Sequence, residues 1–188
     1  MNRSWVIVVL LFSFCIVGCT EVEPTGPDPD AVFQAAKLGD LPYLRDRLSK
    51  GLDPNVRNES FSNRECLLYF AVRKGELDAA RVLLESGALV DLRETGYHRT
   101  SLFRAASDGR LAMAQLLIEH GADVNAIDRF RENPLRSAIK GNHLEIVQLL
   151  LDKGADPYQT NKDGKTMKDV AMEIGSLAVQ RLFANEDE

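Results

Sequence analysis

At 188 residues, 45% hydrophobic and 27% charged, the chain is long enough for one domain of ordinary size and too short for two generous ones. That apolar content excludes a disordered chain, and seven prolines exclude a collagen-like or proline-rich fibre. Twenty-eight acids against twenty-three bases give a net charge of −5, so a globally basic nucleic-acid footprint is absent, and three cysteines (Cys15, Cys19, Cys66) are too few for a disulfide scaffold.

Arg3 gives a small positive start, and residues 5–17 (WVIVVLLFSFCIV) form a charge-free apolar run. As a helix the run spans about 20 Å, against about 30 Å for a bilayer core, which predicts a secretory h-region rather than a membrane span. Ile16-Val17-Gly18-Cys19 follows it. This tetrapeptide resembles a bacterial lipobox, in which an aliphatic residue and two smaller ones precede a cysteine that is lipidated and becomes the new N-terminus. A thiolate must take the lipid, and small neighbours let the signal peptidase reach the bond. The resemblance implies a signal peptide over 1–18, lipidation at Cys19, attachment to a membrane through that lipid, and a chain facing the periplasm. Thr20 stands where an acid would retain such a protein, which implies the outer membrane. An ordinary signal peptide with a chance cysteine, or an N-terminal anchor, is the alternative. Residues 20–30 (TEVEPTGPDPD) hold three prolines, one glycine and no base, so 19–29 is expected to be an extended tether of about 3.1 Å per residue.

From Asp30 onward the chain repeats. Turns at Gly51, Gly87, Gly121 and Gly154 are 36, 34 and 33 residues apart, and a second series at Ala35, Ala71, Ala105, Ala138 and Ala171 keeps the same period. Four residues after each alanine stands Gly39, Gly75, Gly109, Asn142 or Gly175; Asn best tolerates the left-handed helix end that this position implies. Between the series, residues 110–120 and 143–153 carry apolar stripes at helical spacing (Met113, Leu116, Leu117, Ile118; Ile146, Val147, Leu149, Leu150, Leu151). Each repeat therefore reads as helix, tight turn, helix, Gly-containing turn and outward loop. Thr100, Asn133, Thr166 and Asp30 are expected to cap first helices, and Pro42 suits a first helical turn.

Thr100-Ser-Leu-Phe-Arg-Ala105, Asn133-Pro-Leu-Arg-Ser-Ala138 and Gly121-Ala-Asp-Val-Asn125 resemble the ankyrin repeat. The resemblance covers about residues 30–188 and implies an all-α solenoid of helix pairs with β-hairpin loops. Its units would be about 30–63, 64–97, 98–130 and 131–163, with a C-terminal half-repeat cap over 164–184. The family's usual Thr-Pro-Leu-His start survives only in part: Pro only at Pro134, and His nowhere.

The first two loops are longer than the minimum, with eleven residues from Asn55 to Cys66 and nine from Asp91 to Thr100, against eight in the last two. Insertions in an array fall on loops, often on the binding side. The loops hold Arg57, Phe61 and Arg64, then Arg93, Tyr97, His98 and Arg99, then Arg129, Phe130 and Arg131, the last where the family commonly has Gly. Arginine and aromatic residues favour interface hot spots, so the row is expected to form a cationic edge for an acidic protein partner; the alternative is solvated tips with the aromatics tucked back. No HExxH, GxSxG, phosphate loop or CxxC pair is present, and Asp123–Asp128 lacks the glycine and glutamate of a calcium loop. Neither metal, cofactor nor nucleic acid is expected, and His120 and His143 read as structural. Cys66 takes the cap place of threonine, either as a small semi-buried residue or as a reactive thiol. The expected function is a monomeric, non-enzymatic, membrane-anchored binding protein that uses hairpin tips and the inner-helix face. It would be an immunity protein against a periplasmic effector, or a scaffold for an envelope enzyme; a hydrolase lacks a nucleophile–base set.

Overall fold

The computed structural model describes residues 29–59, 62 and 64–184. The signal peptide expected over 1–18, the lipidation expected at Cys19, most of the expected tether and Phe61 lie outside the described residues.

Five helix pairs follow one another: α1 (Pro29–Leu38) with α2 (Leu41–Ser49), α3 (Leu67–Lys74) with α4 (Leu77–Glu85), α5 (Ser101–Ser107) with α6 (Leu111–Glu119), α7 (Pro134–Gly141) with α8 (Leu144–Asp152), and α9 (Met167–Ile174) with α10 (Leu177–Ala184). The first helices pack side by side as an inner layer, α1 on α3, α3 on α5, α5 on α7 and α7 on α9, and the second helices stack in the same order as an outer layer. Each helix has seven to ten residues, too short to persist alone, so stacking supplies most of their stability. The terminal unit, expected as a half-repeat, carries both of its helices. Among the described residues the loops contain no strand, only isolated antiparallel bridges at Arg57–Cys66 and Thr160–Thr166.

The period is explained by burial. All five alanines of the series are buried, and the leucine, isoleucine and valine stripes of α4, α6 and α8 close one continuous core. Thr100, Asn133 and Thr166 cap as expected, their side chains accepting from the N–H of Phe103 (3.3 Å), Arg136 (2.8 Å) and Asp169 (3.1 Å). At Thr166 the box is reciprocal, and hydrogen bonds from its hydroxyl and amide hold the Asp169 carboxyl below its ordinary range. Asp30 is not a cap: it lies inside α1, in the first turn, where its charge still faces the positive helix end. Pro42 does occupy the first turn of α2, behind Asp40, which accepts from Tyr43 N at 3.1 Å.

Asn142 is left-handed (φ 54°, ψ 38°), as its place in the glycine series demands. Gly175 departs from that series with φ −69° and ψ 151°; glycine is required there because a Cβ would collide with the Ala171 carbonyl. The residue that opens the next outer helix is a staple between repeats. The Arg110 guanidinium donates to Val72 O, and His143 Nε2 donates to Ser107 O at 3.3 Å, each reaching back one repeat. His120 Nδ1 lies 2.9 Å from Leu116 O. Both histidines are thus tied to backbone carbonyls, the structural role expected of them.

Candidate functional site

Each outward loop is built around one buried polar side chain, at Asn58, Glu94, Asp128 and Asn161, which repeat at the period of the helices. Asp128 accepts from the N–H of Phe130 (2.7 Å) and Glu132 (3.0 Å), and Asn161 from Asp163 (2.9 Å) and Lys165 (3.0 Å). Glu94 accepts from Gly96 and Tyr97 at 2.6 Å and from Arg99 at 3.1 Å. Its extra methylene matches a loop that is one residue longer. Backbone bonds close the same loops, from Glu94 N to Arg99 O (3.1 Å), Asp128 N to Glu132 O (2.8 Å) and Asn161 N to Lys165 O (3.0 Å). These clamps make the tips rigid supports rather than slack connections.

Two residues before each cap the backbone turns left-handed, at Arg64 (φ 41°), His98 (φ 61°), Arg131 (φ 61°) and Gly164 (φ 74°). Only the last is glycine. A non-glycine residue there costs about 1–2 kcal/mol, so the first three tips hold strain that glycine would relieve. All three side chains are exposed.

The remaining candidates divide into braces and tip residues. Arg57 Nη1 donates to Arg64 O and to Arg93 O, both at 2.9 Å. One repeat later Arg93 Nη1 does the same toward His98 O (3.1 Å) and Ile127 O. Both guanidiniums thus tie a loop to itself and to the next one. Arg64 pairs with Glu59 on the surface. Arg99 Nε bonds the fully buried Asp128 carboxylate at 3.2 Å, with its guanidinium 4.7 Å from the Tyr97 ring centre and 4.6 Å from that of Phe103. Tyr97 and Phe130 lie 5.8 Å apart, Arg129 sits 5.3 Å from the Phe130 ring and donates to Gly96 O at 2.9 Å, and the Lys162 ammonium lies 4.3 Å from that ring. The sequence row therefore converges on one cluster, Tyr97, Arg99, Arg129 and Phe130, flanked by the exposed His98 and Arg131. Lys162 escaped notice in the sequence, although it stands one period after Arg129 and could have been found by extending the register to the fourth loop.

Where each outward loop begins, Asn55 accepts from Leu89 N (2.8 Å), Asp91 from Asp123 N (3.1 Å) and Asn125 from Asp156 N (2.8 Å), a second ladder between repeats. Burial, together with the nearby Asp123 carboxylate, raises the Asp91 carboxyl above its ordinary value. Cys66 is buried, its thiol 3.7 Å from Leu92 O, and burial pushes its pKa up, the reverse of what a reactive thiol needs. Among the described residues no group of three or more His, Cys, Asp or Glu is placed to hold a metal ion, and no helix is long and apolar enough to cross a membrane.

Paired helices stacked in two layers, with clamped loops projecting from one edge, define an α-solenoid repeat protein. Two models of ankyrin repeats match it, one of three copies over residues 32–128 and one of many copies over 117–171, and the chain belongs to the ankyrin-repeat family. It is similar to the Arabidopsis thaliana potassium channel AKT1 (30% identity, 80% of this chain and 21% of that protein). It is also similar to mouse ankyrin repeat and SOCS box protein 6 (41% identity, 47% and 22%) and to human BCL-6 corepressor-like protein 1 (33% identity, 89% and 9%). The chain thus spans about a fifth or less of these relatives, and what it shares with them is the repeat array. Ankyrin arrays are protein-interaction modules, generally without catalysis, so a protein partner is the function that the family implies.

Proposed function

We propose that the chain captures another protein on the edge made by its hairpin tips and the adjoining inner helices, without catalysis of its own, while tethered to a membrane and facing the periplasm. The observation that carries the edge is the strained, clamped row of tips: Arg64, His98 and Arg131 persist in a left-handed conformation that favours glycine, beside the aromatic and cationic cluster of Tyr97, Phe130, Arg129 and Lys162. The exposed Tyr97 ring and the half-buried Phe130 ring, on rigid supports, lose little side-chain freedom on binding. The tether rests on the lipobox-like Ile16-Val17-Gly18-Cys19 and the proline-rich stretch after it. In this setting the role we favour is that of an immunity protein that neutralises a toxic effector delivered to the periplasm.

The test pairs two variants. Arg129→Glu with Arg131→Glu is expected to abolish protection of cells against the effector encoded beside this chain, with the thermal melt within a few degrees of wild type. Full protection by the double variant would remove the edge from the account. Cys19→Ser is expected to release the protein from membranes into the soluble fraction, and a variant that still sediments with membranes would contradict the lipid anchor. A neighbouring reading frame that encodes an envelope enzyme rather than a toxin would turn the role to that of a scaffold.

A further inference from the structure

The inner layer is not uniform. Aligned on the five alanines, Ser137 stands where the other helices carry Gln34, Phe70, Arg104 and Val170, and Ser107 where they carry Lys37, Arg73, Lys140 and Glu173. Two neighbouring repeats thus each replace a large side chain by serine at the α5–α7 contact. The result is a cleft of about 220 Å³ lined by Arg99, Phe103, Ser107, Glu132, Ser137 and Lys140. The volume equals roughly seven waters at about 30 Å³ each, and it lies below the about 300 Å³ at which small-molecule sites begin. It is the size of one side chain.

Charge decides which side chain. Glu132 is the one acid of the lining, and its Oε1 is taken by Arg136 Nη1 at 2.5 Å. Lys140 is exposed and makes no ion pair among the described residues. Arg99 uses Nε on Asp128, and its side chain remains 29% exposed over the Phe103 ring. Two cations and two hydroxyls therefore converge above an aromatic wall, an arrangement complementary to a carboxylate on a short apolar stem. We infer that this cleft receives an aspartate or glutamate side chain of the partner, as the anchor of a segment lying across the inner helices beside the tips. The inference rests on the edge being a protein-binding surface, and Arg99 joins the two.

The probe is a library of twelve-residue peptides displayed on phage and selected on the purified full chain in detergent; the enriched peptides are then synthesised, each also with its acid replaced by the amide. Enriched peptides are expected to share an acidic residue whose replacement weakens binding at least about tenfold, and Ser137→Phe and Lys140→Glu are expected to weaken it likewise with unchanged circular dichroism. Peptides without an acid, no enrichment at all, or binding indifferent to Ser137→Phe would overturn the cleft. Sensitivity to Arg129→Glu with Arg131→Glu but not to Ser137→Phe would overturn the cleft and leave the edge standing; the reverse would support the cleft and count against the tips. Binding that emerges only after Glu21, Glu23 and Asp28 are replaced by amides would name the chain's own tether as the occupant and overturn the assignment to a partner.

Discussion

Asp128→Ala removes the residue on which the third loop is built. Its carboxylate is fully buried, accepts from two backbone N–H groups, and neutralises Arg99 at 3.2 Å. Removing one partner of a buried pair costs about 3–5 kcal/mol, because the remaining charge loses its counterpart while staying partly out of water. For a domain of this size that is a fall in melting temperature of about 6–20 °C. Asp128→Asn separates the two contributions. Asn161 shows that an amide oxygen can accept from both loop N–H groups, so the asparagine variant loses mainly the charge-assisted bond to Arg99, about 2 kcal/mol. Urea unfolding followed by far-UV circular dichroism measures both variants. Equal losses in the two, or a loss below about 1 kcal/mol for alanine, would refute the view that the clamp holds the loop. The same geometry explains why Arg99 is a poor target for charge reversal: glutamate there would face the buried Asp128, and any loss of binding would report a damaged loop rather than a lost contact.

Arg131→Gly is expected to raise stability by up to about 1 kcal/mol in a urea melt, since relief of the left-handed strain outweighs the added freedom of glycine when unfolded, while partner binding falls; a destabilised variant would show that the tip is not strained. Asp91→Asn keeps the acceptor for Asp123 N, as Asn55 and Asn125 do natively. Because the folded pKa of Asp91 is raised, its protonated form is favoured by folding, and that contribution is lost as pH rises through the folded value. The amide should therefore stabilise at neutral pH, with the gain shrinking as pH falls toward and below the ordinary range of a free aspartate carboxyl, and a gain independent of pH would refute the assignment. Cys66 is expected to react with an aromatic disulfide reagent only on unfolding; rapid reaction of the native protein would contradict its burial.

The period was readable because it is enforced at positions where alternatives are few. Small alanines must lie between helices, and glycine or asparagine must turn left-handed, so residue type and place agree at Ala105, Ala138 and Asn142. The caps at Thr100, Asn133 and Thr166 were legible for the same reason, whereas Asp30 shows that one polar residue near a helix start does not fix its boundary. The loop clamps were hidden because Asn58, Glu94, Asp128 and Asn161 differ in type, and what they share is a buried oxygen at one register. Arg57 and Arg93 show the deeper limit. An arginine that braces two loops and one that greets a partner look alike in sequence; Arg57 and Arg93 each hold two carbonyls, one of their own loop and one of the next, whereas among the described residues the Arg129 guanidinium holds only Gly96 O. The cleft between α5 and α7 was invisible in any single repeat, since it arises from two serines in adjacent ones.

The central claim is that a protein is held at the hairpin edge. The most direct measurement captures the partner from envelope extract with the wild-type chain, with Arg129→Glu/Arg131→Glu/Lys162→Glu, and with an outer-layer control, Gln115→Glu/Gln148→Glu, quantifying the recovered protein by mass spectrometry. The account predicts one protein recovered in stoichiometric amount by wild type and control and lost with the edge variant, whose melt stays within a few degrees of wild type. Equal recovery by the edge variant, or loss with the outer-layer control instead, would contradict it.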